Sequence, residues 1–181
     1  MSELIIFAGT FDPFHRGHRA ILESALAALP GARALVAPAR IPRWRAAPSL
    51  PYERRLEIAR RSIAGLAAEV IEEPDAVDRT ALDLVLAVRR NAPDEELFYL
   101  VGADVAAGFP GWHGRERFLA VASLLIAPRA GTDFSLAALI ERDPILTGRA
   151  RLLPATGVEA SATQVREGAR ELLVEGADEA R

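Results

Sequence analysis

Six short apolar runs, each followed by a longer amphipathic or Ala/Leu/Arg-rich stretch, narrow the fold of this chain more than any other feature. The runs are LIIFAG (4–9), RALVAP (33–38), AEVIEE (68–73), LFYLVG (97–102), ASLLIAP (122–128) and ARLLPA (150–155), and each suits a mostly buried strand. Helical patterning occupies the segments between them, 17–30, 51–65, 79–91, 114–121, 134–142 and 161–174. Strand alternating with helix is the pattern of βαβ units, so the expected class is α/β, with a parallel sheet covered by helices on both faces. Sheets of this kind take ligands at the carboxyl ends of their strands, near the point where strand order reverses. No repeat, low-complexity tract or linker divides the 181 residues, which predicts one domain over 1–181. The least regular stretch is PARIPRWRAAPSLP (38–51), with four prolines and three arginines. The final VEGADEAR reads as a frayed polar tail.

Composition removes several chemistries. The chain has no cysteine, which excludes disulfides, iron–sulfur ligation and thiol nucleophiles. All 22 residues of the Lys+Arg total are arginine, so neither a G-x-x-x-x-G-K-[ST] phosphate loop nor a Schiff-base lysine exists. A formal net charge of -3 supplies no general attraction to nucleic acid or anionic membranes, and neither is expected as a partner. An anionic substrate would need a local concentration of positive groups. The opening MSELIIFAG has no basic leader, and no apolar segment approaches the ~18 residues of a membrane span, so a cytoplasmic protein is expected.

The loop after the first run, GTFDPFHRGH (9–18), holds two of the three histidines. Gly9, without a Cβ, lets a ligand or another backbone approach. Asp12-Pro13 makes a turn that sends the chain back over the strand end. Gly17 and the free N–H groups of the helix that begins near it form an anion site, at which His15, His18 and the Thr10 hydroxyl could donate to phosphate oxygens. Two other readings stand beside this one. A Gly/Asp/Pro junction between strand and helix is common without function. The histidine pair could also ligate a metal, with His113 or a carboxylate as a further ligand, although no cage is evident from the spacing.

The whole string resembles the G-[GST]-F-D-P-[FI]-H-x-G-H signature of the nucleotidyltransferase superfamily with the H-x-G-H motif, and within it the bacterial nicotinate-nucleotide adenylyltransferases. Further matches follow in order. PYERRLEIAR (51–60) is similar to the family's E-x-R-L helix, LFYLVGADVAAGFPGWH (97–113) to its strand ending in G-[AST]-D with a following tryptophan, and ASATQVR (160–166) to its I-S-S-T-x-I-R motif. The resemblance implies a Rossmann-like single domain in which the phosphate of nicotinate mononucleotide attacks the α-phosphate of ATP, giving deamido-NAD and pyrophosphate in NAD biosynthesis. Mg²⁺ would arrive with the ATP. His18, His15, Thr10 and Arg166 would then carry catalysis by positioning and charge stabilisation. Gly9, Gly17, Gly102, Asp104, Ser161 and Thr163 would hold ATP, with Gly102 and Asp104 on the ribose. Arg45, Arg79, Thr80 and Trp112 would hold the acceptor, the indole stacking on its pyridine ring.

Several of these residues also have structural readings. Ser161 with Gln164 forms the S-x-x-Q of a capping box. Asp104 could cap a short helix, Trp112 could pack in the core, and Arg166 could simply be solvated. Three departures from the family pattern bear on the acceptor. Pro42-Arg43-Trp44-Arg45 stands where P-P-H-K is usual, Asp78-Arg79-Thr80 where S-Y-T is usual, and Ala162 replaces the second serine of S-S-T. A different acceptor, such as nicotinamide mononucleotide or, more weakly, phosphopantetheine, is therefore an alternative, as is a non-catalytic nucleotide-sensing module. A homo-oligomer is compatible with everything above.

Overall fold

The computed structural model describes residues 2–41, 47–73, 80–128, 133–158 and 160–177. Six strands, β1 (Glu3–Gly9), β2 (Arg33–Pro38), β3 (Ala68–Val70), β4 (Glu96–Gly102), β5 (Ala122–Ala127) and β6 (Ala150–Leu152), form one parallel sheet in the order β3-β2-β1-β4-β5-β6. The α/β class and the parallel sheet expected from the sequence are the ones observed. Alternate residues of the central strands feed two separate cores. Leu4, Ile6, Leu97, Tyr99, Leu124 and Ile126 face one side, while Ile5, Phe7, Phe98, Leu100 and Leu125 face the other. That two-sided burial is why these strands read as unbroken apolar runs.

Helices α1 (Arg16–Ala28) and α2 (Tyr52–Ser62) cover one face through Leu22, Ala25, Ile58 and Ala59. On the other face lie α3 (Ala81–Asn91), the short α4 (Ala103–Ala106), α5 (Arg115–Val121) and α6 (Leu136–Arg142). A last single turn, α7 (Ala162–Arg166), follows β6. Among the described residues no helix is long and apolar enough to cross a membrane.

The expected boundaries shift for identifiable reasons. The edge strands β3 and β6 keep three residues each, against the six-residue runs at 68–73 and 150–155. Beyond β3, Ile71 still donates to the Val36 carbonyl, and then the Glu73 N–H donates to the Tyr52 hydroxyl at 2.8 Å. After β6, Leu153 still donates to Ile126 and then Pro154, which has no N–H, ends the pairing. The helix expected over 161–174 stops at Arg166. Gly168 takes φ +114°, outside any helix, and only a 3₁₀ turn at Arg170–Leu172 remains of the rest. The short helix after the fourth run exists as α4, and the 3₁₀ turn at Phe109–Gly111 is an element the apolar patterning does not indicate.

Candidate active site

Strand order reverses between β1 and β4, which leave the middle of the sheet in opposite lateral directions. Their register pairs Phe7 with Leu100, so both strands end level, β1 at Gly9 and β4 at Gly102. The crevice beyond these two ends is where doubly wound sheets take their ligands.

One wall is the loop from Gly9 to His18. Gly9 is needed for an internal neighbour: a Cβ there would stand 3.0 Å from Cε1 and Cζ of Phe11. Phe11 itself has φ +47°, the one positive value at a non-glycine position among the described residues. A bulky side chain holds such a conformation only when packing determines it. Its ring lies 5.1 Å from Phe7, 5.1 Å from Phe14 and 5.0 Å from His18, centroid to centroid. His15 is the N-cap of α1 and is buried, and His18 is the third residue of that helix. The two imidazoles stack at 3.7 Å, and the His15 backbone N–H donates to His18 Nδ1 at 3.2 Å. This is the geometry of a capping box with imidazole in place of carboxylate. Since Nδ1 accepts, the neutral ring carries its proton on Nε2. Gly17 is buried because His15 and Ala160 close on it: a Cβ would meet the imidazole at 3.1 Å and the Ala160 methyl at 3.3 Å.

The last motif is fastened to this loop. Ser161 caps α7, its hydroxyl accepting from the Gln164 N–H at 3.2 Å. Arg166 Nη1 donates to the Asp12 carbonyl at 2.7 Å, and Nη2 donates to the Thr163 hydroxyl at 3.1 Å. The Arg166 side chain is 38% exposed, so it is anchored at one edge and open at the other. Asp12, 8% exposed, accepts from the N–H groups of Ser49 (2.8 Å) and Leu50 (2.9 Å) and from the Ser49 hydroxyl.

Beneath the loop lies Arg55, 1% exposed. Its guanidinium donates to the carbonyls of Thr10 (2.6 Å), Ala39 (2.7 Å), Leu50 (3.3 Å) and Arg40 (3.4 Å). Burial lowers its pKa from the ordinary arginine value, opposed by the nearby Asp12, Tyr52 and Glu73. Sequence reasoning placed Arg55 in the E-x-R-L helix without giving it a task. The signal was there: Arg55 shares the buried row of α2 with Ile58, Ala59 and Ser62, at spacings of three, four and seven. Asp12, a turn residue by its place before Pro13, has the further task of holding the Ser49 and Leu50 amides.

The opposite wall follows β4. Gly102 caps α4, and Asp104 lies in that helix's first turn, so Asp104 is not the cap. A Cβ on Gly102 would fall 2.5 Å from Asp104 Oδ1, which shows the carboxylate folded back over the strand end. Trp112 is half-buried in an aromatic group with Phe109 (5.1 Å), Phe118 (5.6 Å) and Tyr99 (6.1 Å). Thr80 caps α3 in a full capping box, its hydroxyl accepting from the Asp83 N–H at 3.1 Å while Asp83 Oδ2 accepts from the Thr80 N–H at 2.9 Å. Leu82 of the same turn packs on Gly114, so Thr80 and Trp112 belong to one end of the molecule. Arg45 and Arg79, with Arg43, Trp44 and Asp78, lie outside the described residues. Among the described residues no three His, Asp or Glu side chains are grouped as a metal cage, and His113 is exposed.

A doubly wound sheet of order 3-2-1-4-5-6, with imidazole, hydroxyl and guanidinium groups at its reversal point, defines a nucleotide-binding α/β protein. The chain belongs to the cytidylyltransferase-like family, whose model matches residues 6–168. It is a nucleotidyltransferase. It is 31% identical over 170 residues to a probable nicotinate-nucleotide adenylyltransferase of Thermomicrobium roseum, covering 92% of this chain and 79% of the relative. A protein of the same name from Rubrobacter xylanophilus is 32% identical over 168 residues, covering 89% and 78%. Among solved structures, nicotinic acid mononucleotide adenylyltransferase of Plasmodium falciparum complexed with NaAD superposes with a TM-score of 0.75 at 14% identity, covering 92% of this chain and 83% of that one. At that identity the likeness speaks for the fold.

Proposed function

We propose that this chain, as one domain over 1–181, transfers the adenylyl group of Mg²⁺-ATP to nicotinate mononucleotide in the cytoplasm. A phosphate oxygen of the acceptor bonds to the α-phosphorus, the bond from that phosphorus to the α,β-bridging oxygen breaks, and pyrophosphate leaves with the bonding pair on that oxygen; Mg²⁺ would arrive with the ATP and neutralise phosphate charge. Deamido-NAD is the product. No protein nucleophile is required, so the protein's part is placement and stabilisation of charge on the phosphoryl oxygens. The observation that carries this reading is the convergence of Thr10, His18 and the anchored Arg166 on one loop at the strand reversal.

In this reading the Nε2–H of His18 donates to the α-phosphate, with Thr10 and the open edge of Arg166 as further donors. His15, buried under Gly17, supports His18 by stacking and through its backbone N–H. Gly102 leaves room for Asp104, whose carboxylate accepts from the ribose hydroxyls. Ser161 and Thr163 act at one remove, holding α7 and Arg166 in place. Trp112, half-buried among Phe109, Phe118 and Tyr99, stacks on the acceptor ring, and Thr80, Arg45 and Arg79 bind the acceptor's polar groups.

Pyrophosphate release with Mg²⁺-ATP is the test, run against nicotinate mononucleotide, nicotinamide mononucleotide and phosphopantetheine, with His18→Ala as control. Release with the first acceptor alone is expected, and His18→Ala should lose ~2–4 kcal/mol of transition-state stabilisation while ATP still binds. Release with another acceptor would show that PRWR and DRT have redirected specificity on the same chemistry. Silence across the panel with ATP bound would leave a sensor, and ATP hydrolysis without any acceptor would favour a hydrolase.

A further inference from the structure

Arg55 lies behind the phosphate-facing loop, and all four of its hydrogen-bond acceptors are main-chain carbonyls. They belong to three segments: Thr10 at the end of β1, Ala39 and Arg40 at the end of β2, and Leu50 just before α2. A charge this deeply buried is tolerated only when its donors are taken up, and here every guanidinium nitrogen is used. Asp12 completes the junction from the other side. It takes the N–H groups of Ser49 and Leu50, so carbonyls are gathered by the cation and amides by the anion. The guanidinium is itself placed by the core, because Arg55 shares its helix face with the buried Ile58 and Ala59.

We infer that Arg55 is a positioning residue for adenylyl transfer, fixing the Thr10 carbonyl against β2 and α2 so that the Thr10 hydroxyl and His18 meet the α-phosphate in register. It touches no substrate. The inference rests on the adenylyl-transfer reading above. Arginine is required because its planar fork spreads donors across three segments, whereas a lysine offers three donors on a single nitrogen.

The test compares wild type with Arg55→Lys, Arg55→Met and Asp12→Asn, each confirmed folded by circular dichroism and assayed well below its melting temperature. Folded Arg55 variants should lose ~10- to 100-fold in kcat while the KM for ATP stays within about threefold, as a displaced catalytic group demands. A residue that only stabilises the fold would lower Tm and leave kcat per folded molecule alone. Wild-type kcat in a folded Arg55→Lys or Arg55→Met overturns the inference. Should neither fold, Asp12→Asn decides, because it slackens the same junction from the amide side. The Asp12 carboxylate also stands 3.6 Å from Arg166 Nη1, so this variant is read in an Arg166→Ala background. A kcat lowered further than in Arg166→Ala alone, at unchanged ATP KM, supports the inference, and no further loss overturns it. If wild type itself releases no pyrophosphate, the functional reading fails separately. Positioning is then read from the His18 ring ¹⁵N signals on adding a non-hydrolysable ATP analogue. A shift present in wild type and lost in Arg55→Lys supports the inference, and a shift kept in both overturns it.

Discussion

With its Nδ1 taken by the His15 N–H, His18 is a case in which the backbone decides which face of a side chain is chemically useful. The ring's ¹⁵N spectrum at neutral pH should show Nε2 as the protonated nitrogen and Nδ1 as the imine-like one. The reverse pattern would remove the Nε2–H donor on which the proposed mechanism relies. At the other wall, the space above Gly102 is occupied by the Asp104 carboxylate, 2.5 Å from where a Cβ would stand. Gly102→Ala should push that carboxylate aside and raise the ATP KM about tenfold, the worth of a hydrogen bond to a charged group, with little change in Tm. An unmoved KM would show that Asp104 does not hold the ribose. The sequence motif names Gly102 and Asp104 together. Why the pair must be a glycine and a short acid is visible only once the strand end and the first turn of α4 are in place.

Among the elements, helix starts carry much of the proposed site, and each start also has a structural occupation. Thr80 closes a reciprocal box with Asp83 at the head of α3. Thr80→Ala should cost about 1 kcal/mol and lower Tm by roughly 2–4 °C. A rise in the acceptor KM on top of that would place the hydroxyl on the acceptor as well, while an unchanged KM would leave it a cap. Ser161 is likewise a cap, as S-x-x-Q suggests, and the helix it opens lasts a single turn. The expectation of a long last helix over 161–174 followed the Ala/Glu/Leu/Arg composition and gave too little weight to Gly168, whose φ of +114° no helix accommodates. That short α7 still serves, because Arg166 gains its place from the Asp12 carbonyl, 154 residues away, more than from the helix.

At the scale of the whole molecule, two faces of one sheet bury two cores, and Tyr99 lies in one of them at 7% exposure. Burial, with a smaller contribution from Glu73, raises its phenol pKa well above the usual 10.0. Above that pH the unfolded chain gives up a proton that the folded chain keeps, so stability falls as pH rises, by at most about 1.4 kcal/mol per pH unit from this group; below it both states hold the proton and Tyr99 contributes no slope. Alkaline titration of the melting temperature should therefore be flatter in Tyr99→Phe than in wild type, and identical slopes would exclude Tyr99 as the source. The strand–helix alternation determined the class of the fold, because apolar runs of strand length are buried on both faces by helices between them. The family to which the chain belongs is the one the H-x-G-H string and its companions resemble, since their order along the chain is itself sequence. What tertiary structure decided is how those pieces meet. The sequence does not say that Arg55 spends its charge on the Thr10 and Ala39 carbonyls, that Asp12 ties down Ser49 and Leu50, or that Arg166 reaches the Asp12 carbonyl, because hydrogen bonds between segments tens of residues apart exist only once the sheet has brought their ends together.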